Sequence, residues 1–319
     1  MNALTEQLGL VGIIPVVVIE DEILAPSLAR ALREGGLTTM EVTLRTDAAR
    51  GAISRIAAEC PEMLLGAGTV LTIDQAKMAV DSGAQYIVSP GFNRKVVDYC
   101  KASNVTVIPG VASPTDIGEA FDAGLRVVKF FPAEASGGLE YLKAISAPFG
   151  QMMFVPTGGI DETNLLPYLQ FPRVLACGGS WMVKADLISG KRFEDIQNLT
   201  ARAMGKMLGF RLSHIGINGL HGDEATRNAQ LLSRLFNLPF NDGEGSVFVG
   251  KEFELLKRPF LGNHGHIAVG TNFIGRAMAF LRSQGVGVKE ETASRKDGKL
   301  VSVYLDVDIG GFAVHLLQL

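Results

Sequence analysis

Histidine is missing from the first 210 residues. All five histidines (His214, His221, His264, His266 and His315) fall in the last third of the chain. Acid–base chemistry in the first two thirds must therefore use carboxylate, lysine, tyrosine or cysteine. Cysteine is scarce as well. Cys60, Cys100 and Cys177 lie far apart, which excludes a disulfide framework and points to reduced thiols in a cytoplasmic protein. An excess of charge of one sign is also lacking. The chain has 30 Lys and Arg against 33 Asp and Glu, a formal net charge of -3, and no block of like charges. Nothing in that balance points to nucleic acid as a partner. Long apolar runs are absent too. The stretch "LGLVGIIPVVVI" near the start falls short of the ~20 residues that span a membrane. No lysine or arginine precedes it, as a signal peptide would require, so it reads as a buried strand.

What is present is a steady alternation. With 47% hydrophobic and 20% charged residues, 319 residues supply a core for one large or two ordinary domains. Up to about residue 205, short β-branched runs alternate with amphipathic helical runs. The strands read are "GIIPVVVI", "TMEVTLR", "MLLGAGTV", "AQYIVSP", "VTVIPGV", "RVVKFFP", "MMFVPTG" and "RVLACGG". Helices between them open on capping residues: Ser113 with Pro114 in "SPTDIGEAFDAG", and similar starts in "TIDQAKMAVDSG" and "DETNLLPYLQ". Strands alternating with helices predict an α/β fold with a parallel sheet. Eight units in about 200 residues predict a closed (β/α)8 TIM barrel. A doubly wound open sheet is the alternative, but no glycine-rich dinucleotide fingerprint follows the first strand. After the helix "KRFEDIQNLTARAMGKML" the rhythm changes. The remainder reads twice as strand, helix and short strands, from "LSHIGI" to "KEFELLK" and from "GHIAVGT" to "FAVHLLQL". Two domains follow: residues 1–208, and residues 209–319 as a smaller α+β domain of paired βαβββ modules.

Strand alternation also assigns faces. In "MEVTLRT", Glu41, Thr43 and Arg45 share one face, with Val42 and Leu44 on the other. In "RVVKFFPAE", Val127, Lys129 and Phe131 fall together. If the apolar set packs on helices, Glu41, Arg45 and Lys129 share the barrel lumen. One reading is a buried ion pair of Lys129 with Glu41 or Glu134. The other is catalytic: burial disfavours the charged form of a lysine, and a neutral amine attacks a ketone to form a Schiff base. Glu41 would then move the protons. "PTGGI" and "ACGGS" end the last two strands with paired glycines just before a helix, a way to bring backbone N–H groups to a phosphate. Thr69 in "GAGTV" and Pro90 in "SPG" sit at strand ends facing the same site.

The motifs "EVTLRT", "GAGTVL", "SPGF", "IPGV", "VKFFPAE", "PTGGI" and "GGSWMV", in this order, resemble the 2-keto-3-deoxy-6-phosphogluconate/4-hydroxy-2-oxoglutarate (KDPG/KHG) aldolases. The resemblance implies a class I aldolase without a cofactor. Lys129 would be the Schiff-base lysine and Glu41 the general acid/base. Arg45, Thr69, Thr157 and Phe131 would surround the pyruvate-like end, Arg45 and Thr69 touching its carboxylate. Pro90 would line the site, and Gly158, Gly159, Gly179 and Ser180 would form the phosphate cradle. It further implies a keto-acid substrate, no membrane or nucleic-acid partner, and a homotrimer. Two rivals stand beside it. A metal-dependent aldolase lacks histidines in the barrel, and a non-catalytic phosphosugar-binding barrel predicts no adduct on Lys129.

"SHIGI", "FELLK", "GHIAV" and "GFAVHLLQL" resemble the strand signatures of the glyoxalase-like (vicinal oxygen chelate) fold. The resemblance implies a divalent metal (Zn, Ni, Fe or Mn) on His214, Glu254, His266 and His315. The last position more usually carries Glu, so His315 departs from the pattern. Three roles are open for this domain: a metal-dependent isomerase or lyase, a ligand-binding module, or an oligomerisation surface.

Overall fold

In the computed structural model, which describes residues 2–319, the chain parts between Met207 and Leu208 into two units. The division falls at the end of the helix Phe193–Leu208.

The first unit holds nine short strands: β1 (Ile13–Val17), β2 (Thr39–Thr43), β3 (Leu64–Gly68), β4 (Tyr86–Val88), β5 (Thr106–Ile108), β6 (Gly110–Val111), β7 (Val127–Phe130), β8 (Met153–Pro156) and β9 (Cys177–Gly179). All their pairings are parallel. Six lie in the order β5-β4-β3-β2-β1-β9 and three in the order β6-β7-β8. β5 and β6 are one run of chain interrupted at Pro109. Proline has no N–H for the ladder, but its carbonyl still accepts from the Lys129 N–H at 2.8 Å. At the other side, Phe154 bridges to Val174 and Thr157 to Gly178. The two sheets thus meet at both sides, and eight runs of chain follow one another in a ring.

The alternation expected from the sequence decides what faces inward. Ile14, Tyr86, Val88, Ile108, Val127, Val155, Leu175 and Ala176 form one cluster with Leu8. Val42, Val128 and Phe130 are fully buried elsewhere. Phe130 meets Tyr141 of the helix Gly138–Ser146 at 6.2 Å between ring centroids. Burying such side chains contributes about 1.5–3 kcal/mol each.

Three expectations are corrected. The opening apolar run is not all strand. Ala3–Val11 is a helix, with the Asn2 side chain accepting from the Thr5 N–H and Gly12 closing it at φ 77°; this helix carries Leu8 into the inner cluster. Strand β2 stops at Thr43, so Arg45 stands in the following turn. In "DETNLLPYLQ" only Leu165–Gln170 is helical, because Asp161 accepts from the Thr163 N–H and hydroxyl and makes a turn instead. Ser113 caps its helix as expected, and the structure adds a reciprocal bond from Asp116 back to the Ser113 N–H. Among the described residues no helix is long and apolar enough to cross a membrane.

The second unit is one mixed sheet of eight strands: β10 (Arg211–Asn218), β11 (Phe240–Asp242), β12 (Ser246–Val249), β13 (Phe253–Leu256), β14 (Gly265–Thr271), β15 (Val288–Lys296), β16 (Lys299–Ile309) and β17 (Phe312–Gln318). Their order is β11-β12-β13-β10-β14-β17-β16-β15. The two halves match: β10 pairs in parallel with β13, β14 in parallel with β17, and β10 meets β14 antiparallel at the centre. Each half places one helix after its first strand, Gly222–Phe236 and Ile274–Ser283. Ala225 and Ala229 of the first helix pack with Val247, Val249 and Leu255. By alternation Phe248 and Glu254 turn to the opposite face of the sheet.

Candidate functional site

Lys129 on β7 and Glu41 on β2 meet inside the ring. Lys129 Nζ donates to Glu41 Oε1 at 3.2 Å, with the two residues 6% and 3% exposed. The Phe131 ring centroid lies 5.4 Å from the same nitrogen. Of the two carboxylates considered for Lys129, Glu41 is therefore the partner. Glu134 instead accepts the Tyr168 hydroxyl. Burial, and then that carboxylate, push the Tyr168 phenol well above its usual range.

Small residues make room for the pair. A Cβ built on Gly68 would overlap the Glu41 carboxyl, and one on Gly66 would overlap the Tyr86 ring. Tyr86 is fully buried; its hydroxyl donates to the Met40 carbonyl at 3.2 Å and lies 3.2 Å from Thr39 Oγ1. Arg45 Nε donates to Thr69 Oγ1 at 3.2 Å, so these two residues do meet although neither lies on a strand. Thr69 has φ 57°. A β-branched residue in the left-handed region is an outlier that costs about 1–3 kcal/mol. The sequence carried no sign of it.

Thr157 is buried and faces Gly178, where a Cβ would overlap its side chain. Gly158 and Gly159 have φ 98° and 79°, and the Gly158 carbonyl accepts from the Glu134 N–H at 3.0 Å. Gly179 ends β9, and Ser180 follows it exposed. Pro90 follows β4, its carbonyl packed so closely on Gly110 that a Cβ there would overlap it. Neither glycine pair leads straight into a helix, as the sequence reading expected. The helices that follow, Leu165–Gln170 and Ala185–Ser189, begin several residues later and are only six and five residues long. What the two turns offer an anion is backbone N–H, with little helix dipole.

A second cluster lies in the second unit, on four adjacent strands: His214 (β10), Glu254 (β13), His266 (β14) and His315 (β17). His214 Nε2 and His266 Nε2 are 3.1 Å apart, and each is 3.2 Å from Glu254 Oε2. Ser246 Oγ donates to Glu254 Oε1 at 2.7 Å. Donor atoms of the three histidines lie within 4.8 Å of one another. Neither ring nitrogen of His315, nor Nδ1 of His266, makes a well-aligned hydrogen bond. Burial raises the Glu254 carboxyl, but hydrogen bonds from His214, His266 and Ser246 outweigh it and hold the group well below the usual range. Burial, then the neighbouring His266 and His214, draws His315 down to about 4. Tyr304 stacks on His315 at 4.8 Å, and its phenol is pushed up to about 12 by burial and then by Glu254. The other two histidines are occupied elsewhere. His221 Nδ1 caps the helix Gly222–Phe236, and His264 packs on Phe312.

The first unit is a carbon–carbon lyase, a class I aldolase. The chain belongs to the KDPG and KHG aldolase family, whose model matches residues 4–199. It is 50% identical over 204 residues to the 2-dehydro-3-deoxy-phosphogluconate aldolase of Treponema pallidum, covering 64% of this chain and 97% of that protein. It is 41% identical over 192 residues to the KHG/KDPG aldolase of Escherichia coli K12, covering 60% of this chain and 90% of that one. A crystal structure of KDPG aldolase from Legionella pneumophila, with pyruvate captured at low pH as a covalent carbinolamine intermediate, superposes with a TM-score of 0.61 at 40% identity, covering 62% of this chain and 97% of that one. The Zymomonas mobilis ZM4 aldolase with 3-phosphoglycerate superposes with a TM-score of 0.59 at 40% identity, covering 64% and 95%.

Proposed function

We propose that the first unit, a closed (β/α)8 barrel, reversibly cleaves 2-dehydro-3-deoxy-6-phosphogluconate to pyruvate and glyceraldehyde 3-phosphate through a Schiff base on Lys129. The observation that carries it is the 3.2 Å contact between Lys129 Nζ and Glu41 Oε1. Transfer of the shared proton to Glu41 leaves a neutral amine, which attacks the C2 ketone. Glu41 returns the proton to the departing hydroxyl, water leaves, and an iminium forms. The carboxylate then takes the C4 hydroxyl proton; the C3–C4 bond breaks, the aldehyde leaves, and its electron pair becomes the pyruvate enamine. Protonation at C3 and hydrolysis free pyruvate and restore the lysine. Arg45 and Thr69 hold the pyruvate carboxylate, Phe131, Thr157 and Pro90 line the ketone end, and Gly158, Gly159, Gly179 and Ser180 receive the phosphate. The pyruvate adduct of the Legionella relative and the phosphorylated ligand of the Zymomonas relative support this assignment. The name of the E. coli relative favours a second substrate, 4-hydroxy-2-oxoglutarate, cleaved to pyruvate and glyoxylate at the same lysine. The working form is a cytoplasmic homotrimer.

Borohydride reduction in the presence of pyruvate is the direct test. It should fix a covalent adduct on the Lys129 peptide, and Lys129→Ala should lower kcat by ~10³-fold or more. A variant near wild-type activity would overturn the assignment. Comparing kcat/KM for phosphorylated and unphosphorylated keto acids decides between the two substrates.

For the second unit we propose a glyoxalase-like domain that holds a divalent metal on His214, Glu254, His266 and His315. The residues present fit an ion. Adjacent ligands on bonds of ~2.1 Å stand ~3.0–3.4 Å apart, and the three closest donors are spaced 3.1–3.2 Å. Bound there, a metal would supply Lewis acidity.

A further inference from the structure

We infer that the metal centre of the second unit carries a net positive charge and takes a carboxylate as its exchangeable ligand. The inference rests on the metal reading above. Donor count carries it. Among the described residues, Glu254 is the one carboxylate in contact with these histidines, and histidine ligates as neutral imidazole. A divalent ion with three imidazoles and one carboxylate keeps one positive charge. The repeat shows what a neutral centre would need. β13 and β17 are equivalent strands of the two halves, each parallel to the first strand of its own half, and they carry Glu254 and His315. His315 thus stands where the repeat would put a second carboxylate. A buried charge without a counter-charge is costly, so an anion from solution completes the site.

A simpler arrangement, a metal-free cluster of His214, Glu254 and His266 sharing a proton, explains the three short contacts. It does not explain His315. That residue is 7% exposed, and its ring nitrogens make no well-aligned hydrogen bond, only a looser contact with the Leu316 backbone. A polar atom left so costs ~1–3 kcal/mol, a cost that coordination at one nitrogen removes. The Phe248 ring stands edge-on to His214 at 5.7 Å, Tyr304 stacks on His315, and Phe260 meets Tyr304 at 5.6 Å. Apolar walls strengthen attraction between an ion and an anion. The same imidazole-rich set favours zinc, nickel or cobalt over magnesium or manganese.

The test uses the full chain loaded with Co(II), azide as an anionic probe read by visible absorption, and acetate as the carboxylate that displaces it. Wild type should take up one Co(II) per chain and bind azide, and acetate should compete. His315→Glu cancels the charge and should weaken azide by ~10-fold or more, with unchanged circular dichroism. Glu254→Gln raises the charge and should tighten azide by ~10-fold or more, which decides the matter if His315→Glu does not fold. Stoichiometric cobalt with azide affinity indifferent to both charge changes overturns the inference and leaves the metal reading standing. Failure of acetate to displace azide overturns the carboxylate assignment. No cobalt uptake by wild type overturns the metal reading, and the inference with it.

Discussion

At the scale of single residues, the chemistry depends on space as much as on charge. The Glu41 carboxyl reaches Lys129 because Gly68, on the neighbouring strand β3, has no side chain. A methyl group there would overlap the carboxyl and push Glu41 from its place against Lys129. Gly68→Ala should therefore lower kcat by ~10-fold or more while KM for pyruvate changes little. The overpacking should also lower stability by about 1–3 kcal/mol. Steady-state kinetics with a denaturant titration reads both, and wild-type kcat in a folded variant would refute the account. Period-two alternation made Glu41 and Lys129 legible, because a strand in a ring has one inward face. Arg45 was placed on that same strand, yet it reaches Thr69 from a turn two residues past the strand end. The left-handed backbone of Thr69 was not legible at all: residue type favours the opposite, and only the surrounding chain imposes it.

At the scale of elements, helices with side-chain caps were the easiest to read. Ser113 and Thr72 cap their helices where the sequence placed the helix starts. The helix Ala3–Val11 was missed because its apolar end runs into β1 without a polar break; Gly12, at φ 77°, was the signal. The packing of these elements has a consequence in alkali. Tyr86 on β4, Tyr168 in Leu165–Gln170 and Cys100 in Arg94–Ala102 are buried. Burial pushes the Cys100 thiol from 9.0 up to about 11 and both phenols higher still. Each group stays protonated in the fold at a pH where the unfolded chain would release its proton. Stability from Cys100 is thus complete below about pH 9 and is lost as pH rises through about 11, while that from the two phenols is complete below about pH 10 and is lost at higher pH still. The melting temperature should be flat from pH 7 to 9 and fall steeply above. An equal melting temperature at pH 8 and pH 11 would contradict the burial assigned to them.

At the scale of the whole molecule, the buried lysine–carboxylate pair and the histidine cluster lie in different units of one chain. The family match ends at residue 199, and the structural relatives overlay about the same span. The second unit was legible as a repeat because its two halves each run strand, helix, then three strands; the sheet order then sets their first strands, β10 and β14, side by side at the centre. The histidines divide in the same way. Among the described residues, the cluster of histidines able to share an ion lies wholly in the second unit, and the first 210 residues contain no histidine. A chelator should therefore act on one unit alone. Dialysis against EDTA should leave kcat/KM for aldol cleavage within ~2-fold of its starting value. Restoring zinc should raise the thermal stability of the full chain by about 2.7 kcal/mol at a free metal concentration 100 times the dissociation constant. Calorimetry and the pyruvate-release assay, run on the same samples, separate the outcomes. If EDTA abolishes cleavage, the aldolase depends on metal and the Schiff-base route fails. If cleavage persists and zinc moves no transition, His214, Glu254, His266 and His315 form a hydrogen-bonded cluster without an ion.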